Sequence, residues 1–268
     1  MSKIPISVVI VAKNEEKRIN DCIKSVIDWA DEIILVDDES TDSTRNIAKD
    51  FGIKVLVCKM NIEGKHRNWA YSQAKNEWVF SLDADERPTL ELKNEIAKTI
   101  KSTDCTHFSI PFKTYIGNYW IRWGGWYPGS KVKLFKKNKF KYEEVEVHPR
   151  IITEGKVGHL KSDVIHYSYR DFEDFVNKTN KQTTLEALKW YKLSKKNPKK
   201  AKYKMNMLHA IWRSIDRFFR TFLAKKGYRD GTIGFMVAYF SSFYQIVSFA
   251  KYKEIERQNK EKVSSEKR

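Results

Sequence analysis

The first hundred residues alternate between short apolar runs and amphipathic stretches, and this constrains the fold more than any other feature. The β-branched run Ile6–Ala12 predicts a buried strand, and residues 15–29 carry Ile19, Cys22, Ile23, Val26 and Ile27 at helical spacing. Glu32–Val36 predicts a second strand. The following "DDESTDSTRNIAKDFG" predicts a helix capped by Ser40 or Asp42 and closed by Gly52. Lys54–Cys58 predicts a third strand, Lys65–Ala74 a third helix and Trp78–Leu82 a fourth strand. Such alternation builds right-handed βαβ units, a parallel sheet covered by helices on both faces. Ligands of these sheets sit beyond the carboxyl ends of the strands. Asp37, Asp38, Asp83 and Asp85 all fall at such ends.

Two carboxylates one residue apart, in "FSLDADERP", admit three readings: a metal-assisted sugar-nucleotide site, an aspartyl-phosphate nucleophile, or a helix cap. A hard cation such as Mg²⁺ or Mn²⁺ takes few protein oxygens and completes its shell with substrate phosphates. There it neutralises charge developing on a leaving diphosphate. The nucleophile reading expects the motif on the first strand, followed by a small hydroxyl or β-branched residue. Here it follows the fourth strand and runs into Glu86-Arg87-Pro88. No GxGxxG follows the first strand, which disfavours a dinucleotide-dependent reductase.

From about residue 105 the chain becomes rich in Tyr, Trp, Phe and Gly with short alternating runs such as Lys131–Phe135. This predicts a mixed or antiparallel extension with aromatic loops lining a cleft. Trp123, Trp126 and Tyr127 around Gly124-Gly125 are read as a cleft wall able to stack on a sugar. Residues 171–193 predict a helix, and the next, from Met207 to Leu223, sets Leu208, Ile211, Ile215, Phe218, Phe219 and Phe222 opposite Arg213, Arg217 and Arg220. That is the pattern of an interfacial helix. The run 232–250 carries no charge, but Ser241, Ser242, Gln245 and Ser248 dilute it. An in-plane or buried helix is therefore preferred to a membrane span. The expected division is a catalytic domain over 1–168, with a nucleotide-sugar half to residue 100 and an acceptor half from 101, then a membrane-associating helical extension over 169–268.

A net charge of +17 favours anionic partners without choosing among them. It also suggests a rival class, a basic nucleic-acid-binding protein, but no recognition motif accompanies it and no nucleic acid is expected. Cys22, Cys58 and Cys105 make no ligand spacing and predict reduced thiols of a cytoplasmic protein. The N-terminal apolar run is too short for a signal segment.

The order "VAKNEE", "VDDESTD", "EGKHRNWAYSQA", "VFSLDADE" resembles the family-two glycosyltransferases with the A-type nucleotide-sugar fold, over residues 4 to about 95. "GGWYPGSKVKLFKK", "VEVHPRI", "VIHYSY" and "GYRDGTIGFMVAYFSSFYQIVSFAKYKE" resemble the branch containing lipopolysaccharide inner-core β-1,4-glucosyltransferases, nearly end to end. The resemblance implies an α/β fold of the GT-A type with a C-terminal helical extension. It implies Asn14 and Glu15 near the nucleotide base, Asp38 on the uracil or ribose, and Lys65 and Arg67 on the base or diphosphate. Asp83 would face the ribose or metal, Asp85 would bind the metal, and His166 would be a metal or diphosphate contact, with a packed core histidine as the alternative. Where the branch shows Val-His-Glu, this chain has Val147-His148-Pro149.

An inverting transfer needs a carboxylate within hydrogen-bond reach of the acceptor hydroxyl. Glu146, beside His148, is the first choice among Glu143, Glu144, Glu146 and His148. Alternating solvent-facing charges on a strand are the other reading. The expectation is a peripheral enzyme on the cytoplasmic, inner face of the cell membrane. With a divalent cation, it would move a hexose, glucose by resemblance, from a UDP-sugar to a lipid-linked or cell-surface glycan. A capsule repeat or a protein side chain is the rival acceptor.

Overall fold

The computed structural model describes residues 3–145, 150–198 and 205–265. The chain divides into two compact units, Met1–Lys113 with Pro128–Tyr167, and Thr114–Tyr127 with Ser168–Arg268.

In the first unit, β1 (Ile4–Ala12), β2 (Ala30–Asp37), β3 (Lys54–Val57) and β4 (Trp78–Asp83) lie parallel in the order β3-β2-β1-β4. Strands with alternate residues on opposite faces read as continuous apolar runs when both faces are buried. That is the case here. Val8, Ile10, Leu35, Phe80 and Leu82 enter one apolar cluster, while Val9, Ile34, Val36 and Val79 enter another. α1 (Ile19–Lys24) and α4 (Leu90–Thr99) supply Ile23 and Ile96 to the first; α3 (Glu63–Ser72) supplies Ala70 and Tyr71 to the second.

Beyond β4 the sheet becomes mixed, one of the two outcomes the change in sequence texture predicts. β5 (Glu86–Pro88), β6 (Cys105–Ile116), β8 (Gly129–Lys136) and β12 (Val164–Tyr169) continue it in the order β4-β8-β6-β12-β5, and β11 (Lys156–His159) pairs parallel with β6. β9 (Phe140–Tyr142) and β10 (Ile151–Thr153) form a separate antiparallel pair. The fold is an α/β arrangement of the GT-A type, a mixed sheet with helices.

One local reading changes and another narrows. The helix predicted over 15–29 is regular only over Ile19–Lys24, because the loop before it is bound to the loop after β2. α2 (Thr44–Asp50) begins after Ser43, whose side chain makes no capping bond. Of the two expected caps it is Asp42 that acts, its carboxylate accepting from Thr44 N and Thr44 Oγ1, while Ser40 Oγ accepts from Asn14 N. Gly52, with φ +68°, ends the helix as its lack of a Cβ permits.

The second unit contains α5 (Phe172–Lys196), α6 (Met207–Phe219) and α7 (Gly231–Ser265), with β7 (Tyr119–Trp120) paired to the end of β6. Asp171 and Asn206 cap α5 and α6 by accepting from Asp174 N and His209 N. Both helices pack along α7, joined by Ala187, Trp190, Ala210, Phe249 and Tyr252. By length and composition, the stretch Gly227–Glu261 is apolar enough to cross a membrane.

Gly234 sits near the start of α7, and a Cβ there would collide with the carbonyl oxygen of Gly227. Alanine normally stabilises a helix interior by about 1 kcal/mol over glycine. Here the sign is expected to reverse. Gly234→Ala should lower unfolding free energy by about 2 kcal/mol, as for overpacked sites, measured by urea denaturation.

Candidate active site at the carboxyl ends of the strands

The loops leaving β1 and β2 are stitched together by side chains. Asn14, in the left-handed region at φ +54°, donates its N–H to Ser40 Oγ at 2.8 Å and accepts from Thr41 N through Oδ1 at 2.9 Å. Glu15 N donates to Thr44 Oγ1 at 2.8 Å. Asn14 and Glu15 are thus parts of a fixed wall at the sheet end.

Asp38 is buried at the end of β2. Its Oδ1 accepts from Met60 N at 2.8 Å and its Oδ2 from Lys13 Nζ at 3.0 Å. Burial opposes its charge, but the Met60 N–H and Lys13 outweigh burial and hold its pKa below the usual carboxylate range. Asp37 accepts from Ser40 N at 2.9 Å through Oδ2. Its Oδ1 is buried and finds no partner among the described residues.

The turn after β4 is organised by cations from three directions. Both terminal nitrogens of Arg67, on α3, donate to Asp83 Oδ1 at 3.1 Å. Lys133, on β8, donates to Asp83 Oδ2 at 3.1 Å and to Glu86 Oε2 at 2.7 Å. Glu86 Oε2 also accepts from Asp83 N at 2.9 Å, which closes the turn on itself. Arg87 donates to the carbonyls of Ala84, Glu86 and Arg18, and so ties the turn to the start of α1. Burial would raise the Asp83 pKa; Lys133 and Arg67 overcome it and hold the carboxyl well below its usual range. Burial pushes Glu86 up despite Lys133, and the two carboxylates keep Lys133 charged although burial opposes it.

Asp85 faces a different pair. Its Oδ2 lies 3.5 Å from His166 Nε2 on β12 and 3.8 Å from Arg18. Its carbonyl accepts from Tyr167 N at 2.9 Å. Burial raises its pKa, and the His166 hydrogen bond and charge bring the net shift below the ordinary value. The strand register supplies this meeting, since His166 pairs with Glu86 across β12 and β5.

The sequence-predicted residues therefore separate into groups. Asp85 and His166 converge. Asp83, expected to face the ribose or metal, has both oxygens bonded by Arg67 and Lys133. Lys65 is exposed on α3. Glu143 closes the β9–β10 hairpin, donating its N–H to Arg150 O at 2.8 Å, and Glu144 is exposed with no strand around it. Glu146 and His148 lie outside the described residues. Trp123, Trp126 and Tyr127 belong to the second unit, where Trp126 packs edge-on against Tyr169 and Tyr127 against Trp120.

Sequence reasoning missed Lys133, Glu86, Arg18 and Arg87. Lys133 carried a signal: it lies within the apolar alternation of "KVKLFK", where it is only 6% exposed. A lysine buried in a strand demands a carboxylate partner.

No group of three His, Cys, Asp or Glu able to hold a metal occurs among the described residues. Asp85 and His166 fit the lesser demand of a hard cation that takes few protein ligands and completes its shell with water and phosphate.

The chain matches the sequence model of the family described as Glycosyl transferase family 2 over residues 7–152. An uncharacterized glycosyltransferase of Rickettsia typhi is 28% identical, covering 97% of this chain and 91% of the relative. The lipopolysaccharide core biosynthesis glycosyltransferase LpsC of Rhizobium meliloti is 26% identical over 93% of this chain and 92% of its own. Among solved structures, glucosyl-3-phosphoglycerate synthase from Mycobacterium tuberculosis, in complex with Mn²⁺, UDP and glucosyl-3-phosphoglycerate, is 23% identical. It covers 42% of this chain and 44% of that one, with a TM-score of 0.34. The family match spans more than half of the chain, which belongs to glycosyl transferase family 2.

Replacing Lys133 by Met leaves Glu86 buried without its cation, an expected loss of about 3–5 kcal/mol at pH 7. In the wild type the Asp83 pKa is depressed. Its stabilising share is therefore present above about pH 4 and lost only as pH falls through its folded value. In Lys133→Met both carboxyls lose the cation and their folded pKa values rise, so protonation relieves the penalty. Urea denaturation is expected to show the deficit shrinking from pH 7 to pH 5; a constant deficit would exclude a charge origin.

Proposed function

We propose that this member of glycosyl transferase family 2 moves a hexose, with inversion, from a UDP-sugar to a saccharide acceptor of a lipopolysaccharide core or related cell-surface glycan. The observation that carries the reading is the turn Asp83–Glu86, where Asp85 meets His166 while Asp83 is held by Arg67 and Lys133. Asp85 and His166 would hold a divalent cation, which when bound supplies positive charge against the leaving diphosphate. Asp38, kept ionised and buried, suits the imide or hydroxyl donors of a nucleoside. Arg67, anchored by Asp83 and Glu63, is fixed in orientation beside the same turn and can offer N–H donors to a phosphate. Glucose as the sugar rests on resemblance, and Glu146 remains the proposed base. A capsule repeat or a protein side chain is the alternative acceptor.

The site residues support this donor reading in a testable way. Titration with UDP is expected to raise the melting temperature in the presence of Mn²⁺ and much less without it. Asp85→Ala is expected to abolish the metal-dependent part. An absence of any UDP response under any divalent cation would overturn the proposal.

A membrane-surface location is part of the proposal. On α6, Leu208 is 80% exposed, and Trp212, Ile215 and Phe219 are each more than half exposed. On α7, Phe235, Tyr239 and Phe243 form an exposed stripe at four-residue spacing, with stacked rings. Arg217, Arg220, Lys225 and Lys226 are exposed on and just after α6, while Arg213 is half-buried over the Trp190 ring. An amphipathic surface with such cations suits an anionic leaflet. Each large apolar side chain returned to an apolar medium gains about 1.5–3 kcal/mol. Ile215→Glu with Phe219→Glu is therefore expected to weaken binding to phosphatidylglycerol vesicles by at least about a hundredfold in flotation, leaving the UDP response intact. Equal binding of the variant would overturn the membrane assignment.

A further inference from the structure

The second unit holds a cavity of about 350 Å³ walled by Tyr115, Tyr119, Trp120 and Trp123 and by Arg122 and Arg229. This is the small end of the range of ligand pockets, about 300–1,000 Å³, with room for a sugar ring and its substituents. Asp230 builds it. This carboxylate, 5% exposed, accepts from Arg122 N at 3.1 Å and from Trp123 N at 2.8 Å through Oδ2. Tyr119 OH donates to the Asp230 carbonyl at 3.0 Å and to Oδ1 at 3.3 Å. The one negative charge in the wall is thereby turned onto backbone N–H groups and a phenol.

The two guanidiniums are placed differently. Arg122 lies 4.6 Å above the Trp120 ring and Arg229 lies 4.7 Å above the Trp123 ring. Among the described residues neither forms an ion pair. A guanidinium held over a ring keeps N–H donors for bidentate recognition of a carboxylate or phosphate. Tyrosine and tryptophan rings meanwhile offer apolar surface beside polar tips.

We propose that this cavity binds a sugar bearing an anionic group, a phosphate or a carboxylate, with the rings covering its apolar face and Arg122 and Arg229 holding the anion. The inference rests on the glycosyltransferase reading, which makes a charged glycan the class of molecule this cavity would meet.

The test uses the full chain with UDP and Mn²⁺ saturating, so that the strand-end site is filled. The probes are methyl glucoside 6-phosphate, methyl glucuronide, neutral methyl glucoside and inorganic phosphate, followed by tryptophan fluorescence and saturation-transfer NMR. At least one anionic glycoside is expected to bind about tenfold or more tightly than the neutral one, and comparison of the two identifies the anion. Arg122→Gln with Arg229→Gln, at exposed positions, is expected to remove that preference while the UDP-dependent melting shift persists. Equal binding of neutral and anionic glycosides, or an unchanged preference in the variant, overturns the proposal. So does inorganic phosphate binding as tightly as the phosphorylated sugar. Anionic-glycoside binding in a chain with no UDP response would overturn the UDP-donor reading and leave this site standing.

Discussion

A sheet covered on both faces can expose charge only at its ends and edges, and in this chain the end of β4 is where that constraint acts. Lys133 reaches the turn from within β8, with its stem among apolar neighbours, and bonds Asp83 and Glu86 together. Two carboxylates in such a place repel each other and pay heavily for lost hydration. One lysine and Arg67 make the arrangement tolerable, and in doing so they fix the turn that carries Asp85. The direction of the Asp85 side chain therefore depends on a charge balance set two residues before it and one after. The same strand pairing that buries Glu86 brings His166 alongside it.

The parallel half of the fold was legible because periodicity reports burial directly. Val8, Val9 and Ile10 are apolar in succession, which only a strand buried on both faces requires, and they do enter opposite clusters. The carboxylates at the strand ends were legible for the same reason, since a buried run that stops at Asp83 must stop at a surface. What sequence spacing could not supply was partnership across the antiparallel half. Lys133 meets Glu86 over 47 residues of separation, and no local pattern encodes that register. The expectation placed Asp83 on the ribose or metal and Asp85 on the metal, and it did not foresee Arg67 and Lys133 on Asp83. It counted carboxylates along the chain, and the groups that divide them, Arg67, Lys133 and His166, come from α3, β8 and β12.

The second unit shows the opposite limit. Its helices were readable from their apolar spacing, and the contrast between aromatic and arginine faces on α6 was plain in the sequence. The cleft wall expected from Trp123, Trp126 and Tyr127 was half right in kind. Trp126 is absorbed into packing with Tyr169, while Trp123 joins a wall with Trp120 that depends on Asp230, more than a hundred residues later in the chain. An aspartate just ahead of a helix reads locally as a cap. Its use as a clamp for a distant loop is a tertiary fact.

The double hydrogen bond between Asn68 and Tyr142 has a mechanical consequence. The Asn68 amide donates to Tyr142 O at 3.0 Å and accepts from Tyr142 N at 2.8 Å, so α3 and β9 hold each other as two strands would. Arg67 is the neighbouring residue on that helix, and the stem of the β9–β10 hairpin begins at the other side of the bond. A displacement of Arg67 that carried α3 with it would therefore pull on the root of the β9–β10 hairpin. Arg67 and the root of the β9–β10 hairpin then share one lever, with its fulcrum at Asn68.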